Sequence, residues 1–220
     1  IGLEGTYSPY SYRKNNKLTG FEVDLGKAVA KEMGLKAKFV PSKWDSLVAG
    51  LGSGKYDVVM NNITQTPERA KKYNFSTPYI KSRYALIVPK DSKIKSLKQI
   101  NGKKIVAGTG TNNADVVKKY HGTLVPNGDF SNSLAMVKQG RAEGTVNSRE
   151  AWYAYSKKNS TKGLKMIDVS SEAKPTKISA LFNKKDSAIQ SSYNQALKKL
   201  QKDGTVKKLS QKYFGEDVTE

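Results

Sequence analysis

The sequence predicts an α/β protein, and three observations carry that expectation. Apolar residues recur at helical spacing in some segments and as short β-branched runs in others, and the two patterns alternate along the chain. At 220 residues the chain is long enough for one large domain or for two lobes. Its longest purely apolar runs, such as Ala85-Leu86-Ile87-Val88, are far shorter than the roughly 20 residues that span a bilayer.

In order, Phe21, Leu25, Ala28 and Val29 share one helical face, and Gly34 stops that helix. Ala37 and Phe39 alternate as a short strand. Asp45 is placed to cap a helix carrying Leu47, Val48 and Leu51, which ends at Gly52 or Gly54. Val58-Val59-Met60 reads as a buried parallel strand. Thr66-Pro67-Glu68-Arg69 is a helix start, with Thr66 as cap, Pro67 in the first helical position and Glu68 in the first turn.

A second unit begins after a strand around Tyr84 to Val88. Lys104 to Ala107 is extended, Gly108-Thr109-Gly110-Thr111 turns, and a helix follows from about Asn113 to Tyr120. Leu134 to Val137 belongs to a helix and Thr145-Val146 to a strand, with another helix from about Ser148 to Lys158. Ile178 to Phe182 reads as one returning strand. Two helices close the chain, the first carrying Ile189, Tyr193, Ala196, Leu197 and Leu200, the second Val206, Leu209 and Tyr213. The chain starts at Ile1 with neither Met nor a signal peptide, the pattern expected of a mature form whose targeting segment has been removed.

Composition removes several classes of chemistry. With no cysteine there is no disulfide scaffold, thiol nucleophile or Cys-based zinc site. His121 is the only histidine, so neither a histidine cluster for a metal nor a spare catalytic base is available. No metal, cofactor or catalytic residue is expected. The net charge of +20 raises nucleic-acid binding. Yet the lysines are scattered over different elements, often as exposed pairs such as Lys71-Lys72, Lys118-Lys119 and Lys198-Lys199. A nucleic-acid module would concentrate them and interleave aromatics. The pattern reads as a solvated lysine-rich surface, with loose attraction to an anionic cell envelope as the functional alternative. No nucleic-acid partner is expected.

Two motifs carry candidate chemistry. Gly108-Thr109-Gly110 precedes a helix but lacks the third glycine of a dinucleotide fingerprint, since position 113 is Asn, and it lacks the Gly-Lys-Ser/Thr ending of a P-loop. It is either a plain tight turn or a helix N-terminus whose N–H groups receive an anion. A lone Arg69 in a first helical turn is ordinarily a surface residue, and it opposes the usual dipole preference for acids there. Beside N–H donors and Thr64, however, its guanidinium makes a bidentate carboxylate receptor. Tyr7, Tyr10, Tyr12 and Trp44 serve either as core residues or as the walls of a pocket for an apolar or sulfur-containing side chain.

At these residues the chain resembles a known family. Glu4-Gly5-Thr6-Tyr7-Ser8-Pro9-Tyr10, Leu18-Thr19-Gly20-Phe21-Glu22-Val23-Asp24-Leu25 and Trp44-Asp45-Ser46-Leu47 are similar to segments of bacterial type II solute-binding proteins for polar amino acids. Lys55-Tyr56-Asp57-Val58-Val59, Thr66-Pro67-Glu68-Arg69 and Tyr73-Asn74-Phe75-Ser76-Thr77-Pro78-Tyr79 continue the match. So do Gly108-Thr109-Gly110-Thr111-Asn112, Gly140-Arg141, Lys202-Asp203-Gly204-Thr205 and the ending Tyr213-Phe214-Gly215-Glu216-Asp217-Val218. The match runs over essentially the whole chain, and its opening, Trp44-Asp45 and closing segments most resemble the cystine-binding branch.

The resemblance implies a two-lobed, periplasmic-binding-protein-like α/β fold of type II. It has two mixed sheets flanked by helices and joined by a two-strand hinge, with the ligand enclosed between the lobes. Residues 1–87 would begin lobe one, 88–180 would form lobe two, and 181–220 would return to lobe one with the C-terminal helices. Arg69 would clamp the ligand α-carboxylate, helped by the hydroxyl and N–H of Thr64 and by N–H groups near Gly110 and Thr111. Tyr7 and Trp44 would pack on the ligand side chain, and the Asn62 carbonyl would accept from the α-ammonium. The family usually has Asp where this chain has Ser148. A charged hydrogen bond of roughly 1.5–3 kcal/mol is thereby lost unless Glu4, Glu150 or Asn147 supplies it.

The implied function is the extracytoplasmic amino-acid-binding component of an ABC importer, for cystine first. Glutamine or another polar or modified amino acid is the alternative, and a cleft dehydratase of the same fold a third. The partners would be that amino acid and a membrane permease, and the chain would be a monomer. It would be a cell-surface lipoprotein in a Gram-positive cell or a periplasmic protein otherwise.

Overall fold

The computed structural model describes residues 1–220 and divides them into two compact units, Ile1–Lys81 with Thr176–Glu220, and Ser82–Pro175. The first stretch holds β1 (Gly2–Leu3), β2 (Tyr12–Lys14), β3 (Lys17–Thr19), α1 (Phe21–Glu32), β4 (Val40–Pro41) and α2 (Trp44–Gly52). It continues with β5 (Val58–Val59), α3 (Pro67–Lys72), β6 (Tyr73–Phe75) and β7 (Ile80–Ser82). The second unit contains β8 (Tyr84–Pro89), β9 (Lys104–Ala107), α4 (Asn112–Lys119), β10 (Thr123–Pro126), α5 (Phe130–Lys138), β11 (Gly144–Ser148), α6 (Arg149–Lys158) and β12 (Leu164–Asp168). The chain then returns through β13 (Thr176–Ile178), β14 (Leu181–Asn183), α7 (Ser187–Lys202) and α8 (Thr205–Phe214).

Both main sheets are mixed and follow one plan. In the first unit the strand order is β4-β1-β5-β14-β6, with β1 parallel to β4 and β5, and β14 antiparallel to β5 and β6. In the second it is β10-β9-β11-β8-β12, with β9 parallel to β10 and β11, and β8 antiparallel to β11 and β12. Parallel strands need helical crossovers, which cover both faces, so their strands read as continuous apolar runs. Ala85-Leu86-Ile87-Val88, in the antiparallel inner strand β8, reads the same way because both faces of this sheet are covered. Leu86 and Val88 pack with Ile105, Val117 and Val146, while Ala85 and Ile87 pack with Val106, Leu134, Val137 and Trp152.

The chain passes between units at Lys81–Ser82 and Pro175–Thr176, earlier than the expected boundaries after Ile87 and Ala180. The reason is that Tyr84–Pro89 is no connector but an inner strand of the second sheet, bonded on both sides. An apolar run carries no mark of which sheet it will join. Ile178 to Phe182 is likewise two strands, not one. The Ser179 N–H donates to the Ile63 carbonyl at 3.1 Å and the Ala180 N–H to Ser76 Oγ at 2.9 Å, which breaks the ladder between β13, paired with β7, and β14.

Two smaller expectations also change. Helix α2 begins at Trp44 with Lys43 in the cap position, and Asp45 lies in its first turn, where its charge suits the helix dipole rather than capping it. Ala37 and Phe39 form no strand. Pairing starts only at Val40, whose N–H meets the Ile1 carbonyl at 2.8 Å, because β1 offers just Gly2 and Leu3 as partners.

The first unit's core includes a chain of rings. Tyr7 stacks on Tyr10 at 5.1 Å, Tyr10 meets Phe214 edge-on at 5.4 Å, Phe214 meets Phe21 at 5.5 Å, and Phe21 lies 6.1 Å from Tyr79. Tyr213 of the same helix α8 donates to Asp24 of α1 at 2.6 Å, and so the C-terminal helix is fastened to the first helix by apolar and polar contacts together.

Candidate functional site

In open α/β sheets, ligands gather where parallel strands end, since the loops leaving those ends lie together. In the first unit β1, β4 and β5 are mutually parallel. The segments leaving them carry Glu4, then Lys43 and Trp44, then Asn61 to Thr64. Six of the nine residues singled out from the sequence belong to this unit: Glu4, Tyr7, Trp44, Asn62, Thr64 and Arg69.

Arg69 is the centre of this group. Pro67 opens α3, and Thr66 Oγ1 accepts the Arg69 N–H at 3.2 Å, which fixes the backbone from which the side chain departs. The side chain turns back along its own incoming loop. Nη1 donates to the Thr64 carbonyl at 2.8 Å, and the guanidinium carbon lies 5.7 Å from the Trp44 ring centre. The loop is pinned in turn: Thr64 bridges to Ile178, the Gln65 N–H donates to the Lys177 carbonyl at 2.9 Å, and Gln65 Nε2 donates to Ser179 Oγ at 2.8 Å. The Thr64 group that Arg69 engages is its carbonyl, a contact separate from the hydroxyl and N–H expected to assist a ligand. Thr66→Ala is expected to cost about 1 kcal/mol of stability and to weaken ligand binding severalfold by loosening Arg69, measured by thermal unfolding beside calorimetric titration.

Trp44 and Tyr7 are unusually open for aromatic residues, at 41% and 52% exposure. Trp44 lines a cavity of about 300 Å³ with Glu4, Thr6, Pro41, Ser42 and Lys43. Glu4 is held in place by Asn61, which accepts the Glu4 N–H at 2.8 Å and donates to Glu4 Oε2 at 2.7 Å. Tyr7 joins the ring stack through Tyr10, and its N–H and carbonyl bond Ser11 at 2.7 and 2.9 Å.

Asn62 has a left-handed backbone, φ 50°, which asparagine tolerates better than most residues. Its N–H donates to Glu22 Oε1 at 2.5 Å, and the Tyr79 hydroxyl donates to the same oxygen at 2.6 Å. Glu22 is fully buried, and burial pushes its carboxyl up to about 7 against the pull of these two bonds. The folded protein therefore binds the Glu22 proton more tightly than the unfolded chain does. This stability contribution is present below the ordinary value near 4.5 and is lost as pH rises through about 7.

The second unit repeats the plan. Parallel β9 and β11 are neighbours, and α4 and α6 follow their C-terminal ends. Gly110 takes φ 74°, and Thr111 caps α4, its Oγ1 accepting the Ala114 N–H at 3.2 Å and donating to the Gly108 carbonyl at 2.6 Å. The Thr111 N–H itself donates to Gly108 O at 3.2 Å, so it is already partly committed. Ser148 caps α6, its Oγ accepting the Ala151 N–H at 3.1 Å. Two of the three residues considered as substitutes for an acid at 148, Asn147 and Glu150, each bond Ser148 itself. Asn147 Oδ1 accepts the Ser148 N–H at 2.8 Å. Glu150, 1% exposed, accepts from the Ser82 hydroxyl at 2.7 Å and the Arg83 N–H at 3.3 Å, with Arg149 Nε at 3.5 Å. Burial raises its carboxyl as well, opposed by Ser82 and Arg149.

Sequence reasoning missed Lys43, Asn61 and Glu22 as members of this neighbourhood. A signal existed for Glu22. It shares the spacing of Leu25, Gly26 and Val29, all buried, so a charge stands in the apolar stripe of α1. No comparable mark set Asn61 apart from Asn62.

Comparisons with known proteins add to this geometry. Residues 1–216 match the model of the bacterial extracellular solute-binding proteins, family 3. The chain is 36% identical to a probable amino-acid ABC transporter-binding protein of Haemophilus influenzae, covering all of this chain and 86% of the relative. It is 37% identical to the L-cystine-binding protein TcyA of Bacillus subtilis, covering all of this chain and 82% of the relative. Among solved structures, the L-cystine solute receptor of Neisseria gonorrhoeae in its unliganded open conformation superposes with a TM-score of 0.90. The identity is 35%, and the match covers all of this chain and 93% of the receptor.

Proposed function

Because the chain belongs to the bacterial extracellular solute-binding proteins, family 3, we propose that it captures an amino acid outside the cytoplasm, cystine first, for the permease of an ABC importer. The observation that carries this reading is the Arg69 constellation. A guanidinium offers five N–H donors. One is spent on Thr64 and orients the group, so the remaining fork is available for an α-carboxylate. Thr64 and Asn62 supply the ligand with the adjoining backbone groups. Tyr7 and Trp44 pack on its side chain.

Cystine is favoured over a singly zwitterionic amino acid by the cavity beside Trp44. That space brings one acid, Glu4, and one base, Lys43, to the same wall as the exposed indole. A disulfide-linked second amino-acid head presents the complementary ammonium and carboxylate, and its sulfurs suit contact with an aromatic face. The reading is of a carrier and not a catalyst. Both carboxyls raised by burial, Glu22 and Glu150, are enclosed by their own units and present no proton to a substrate. The protein acts as a monomer, held at the surface by a lipid anchor or free in a periplasm.

Calorimetric titration across the amino acids tests the reading, with cystamine as the control that keeps the disulfide and both amines but lacks both carboxylates. Cystine is expected to bind most tightly and cystamine not at all. Failure of every amino acid at millimolar concentration contradicts the reading, as does turnover of a prephenate-like acid.

A further inference from the structure

A carboxyl is rarely buried without partners for both oxygens, because each unsatisfied lone pair loses its hydration for nothing. Glu22 is such a case. Its Oε1 takes two hydrogen bonds, from the Asn62 N–H and the Tyr79 hydroxyl, while its Oε2 is buried with no partner. Gln at this position would satisfy the same two donors without the cost of a buried charge. The acid therefore does something that an amide would not.

What it touches indicates what that is. Asn62 stands in the loop between β5 and the Arg69 helix, in a left-handed conformation that needs external support. We propose that Glu22 is a positioning residue of the amino-acid site. It holds the Asn62 backbone so that the Asn62 carbonyl faces the ligand α-ammonium, and its own negative charge, close behind that loop, favours the ammonium through space. This proposal rests on the reading of the Arg69 group as an amino-acid site.

The surroundings of Glu22 make its charge adjustable. The titratable groups facing it are Tyr79 from the segment before β7, Tyr193 from α7 and Glu4 from the end of β1, with Tyr10 acting on Tyr79. These are phenols and a second carboxylate, and Glu4 raises Glu22 further. Asp24, on the same helix, is paired with Lys212 and Tyr213. With its carboxyl at about 7, Glu22 changes charge in the neutral range. A bound ammonium favours the ionised form, and by linkage the ionised form favours the ammonium. Affinity is therefore high above the Glu22 midpoint and falls as pH drops through it. A coupling of one pKa unit corresponds to about a tenfold change in affinity.

The test is calorimetric titration of L-cystine, or of whichever amino acid the screen selects, at pH 5.5, 6.5 and 7.5. Wild type, Glu22→Gln and Tyr79→Phe are compared. The ligand carboxylates keep their charge over this interval, partial loss of ammonium protons at pH 7.5 acts alike on all three proteins, and His121 is common to them. Wild type is expected to bind about tenfold more weakly at pH 5.5 than at 7.5. Glu22→Gln should bind at the weaker level at every pH. Tyr79→Phe removes a bond to the carboxylate and should move the wild-type curve to higher pH; it carries the test alone should Glu22→Gln fail to fold. A wild-type affinity independent of pH, or a Glu22→Gln variant that keeps the wild-type curve, overturns the proposal while leaving the amino-acid reading intact. Absence of amino-acid binding by wild type at all three values overturns both.

Discussion

Arg69→Ala is expected to weaken amino-acid binding at least about 100-fold, with little loss of fold stability. Removing one member of a desolvated charge pair costs roughly 2–5 kcal/mol, because the ligand carboxylate is left enclosed without its counterion. The helix start should survive, since its cap uses the backbone N–H of residue 69 and the Thr66 hydroxyl, both untouched by the substitution. Arg69→Lys should fall between. It keeps the charge but loses the planar fork, and a point ammonium cannot hold the Thr64 carbonyl and a bidentate carboxylate together. Titration calorimetry with cystine measures both variants. An alanine variant within threefold of wild type removes Arg69 from the site.

The second large effect concerns the fold. Phe214→Ala is expected to destabilise the first unit by about 3–5 kcal/mol, the range for deleting a buried ring that leaves a cavity. Phe214 is 1% exposed and lies edge-on to both Tyr10 and Phe21. It comes from the last turn of α8, so its loss undoes the packing of the C-terminal helix on α1. The Tyr7 ring stands two contacts away through Tyr10, so some loss of ligand affinity should accompany the loss of stability. Thermal or urea unfolding checks the first effect and titration at low temperature the second. Phe214→Leu, which preserves much of the volume, should recover most of both.

Part of this molecule was plain in the sequence, and the reasons differ by element. Helix α3 was legible because cap, proline and first-turn acid occupy consecutive positions. Strand β9 and the turn after it were legible because four apolar or extended residues end at glycine. The unit boundaries were not legible, because Tyr84–Pro89 joins a sheet through bonds to residues 144–148 and 164–168, which no local pattern announces. The single returning strand expected at Ile178 to Phe182 was broken by long-range bonds to Ile63 and Ser76, equally silent in the local sequence.

For the site, Arg69 and Thr64 were legible together and Trp44 as a separate feature, and the structure places the arginine against both. The bond from Arg69 to the Thr64 carbonyl was not legible, because a side chain that folds back along its own loop meets backbone that no side-chain pattern marks. Glu22 escaped notice as a site residue because it lies in a helix, away in sequence from the loop it supports. Glu150 had been weighed as a substitute for an acid at 148. It is buried and shared among the Ser82 hydroxyl, the Arg83 N–H and the Ser148 side chain.

The most direct measurement is a crystal structure of this chain grown with L-cystine. One ligand α-carboxylate is expected within about 2.7–3.1 Å of the Arg69 guanidinium nitrogens, with the Trp44 ring against the ligand and the Asn62 carbonyl facing its ammonium. A ligand bound elsewhere on the chain, with the Arg69 side chain in contact only with solvent and Thr64, contradicts it.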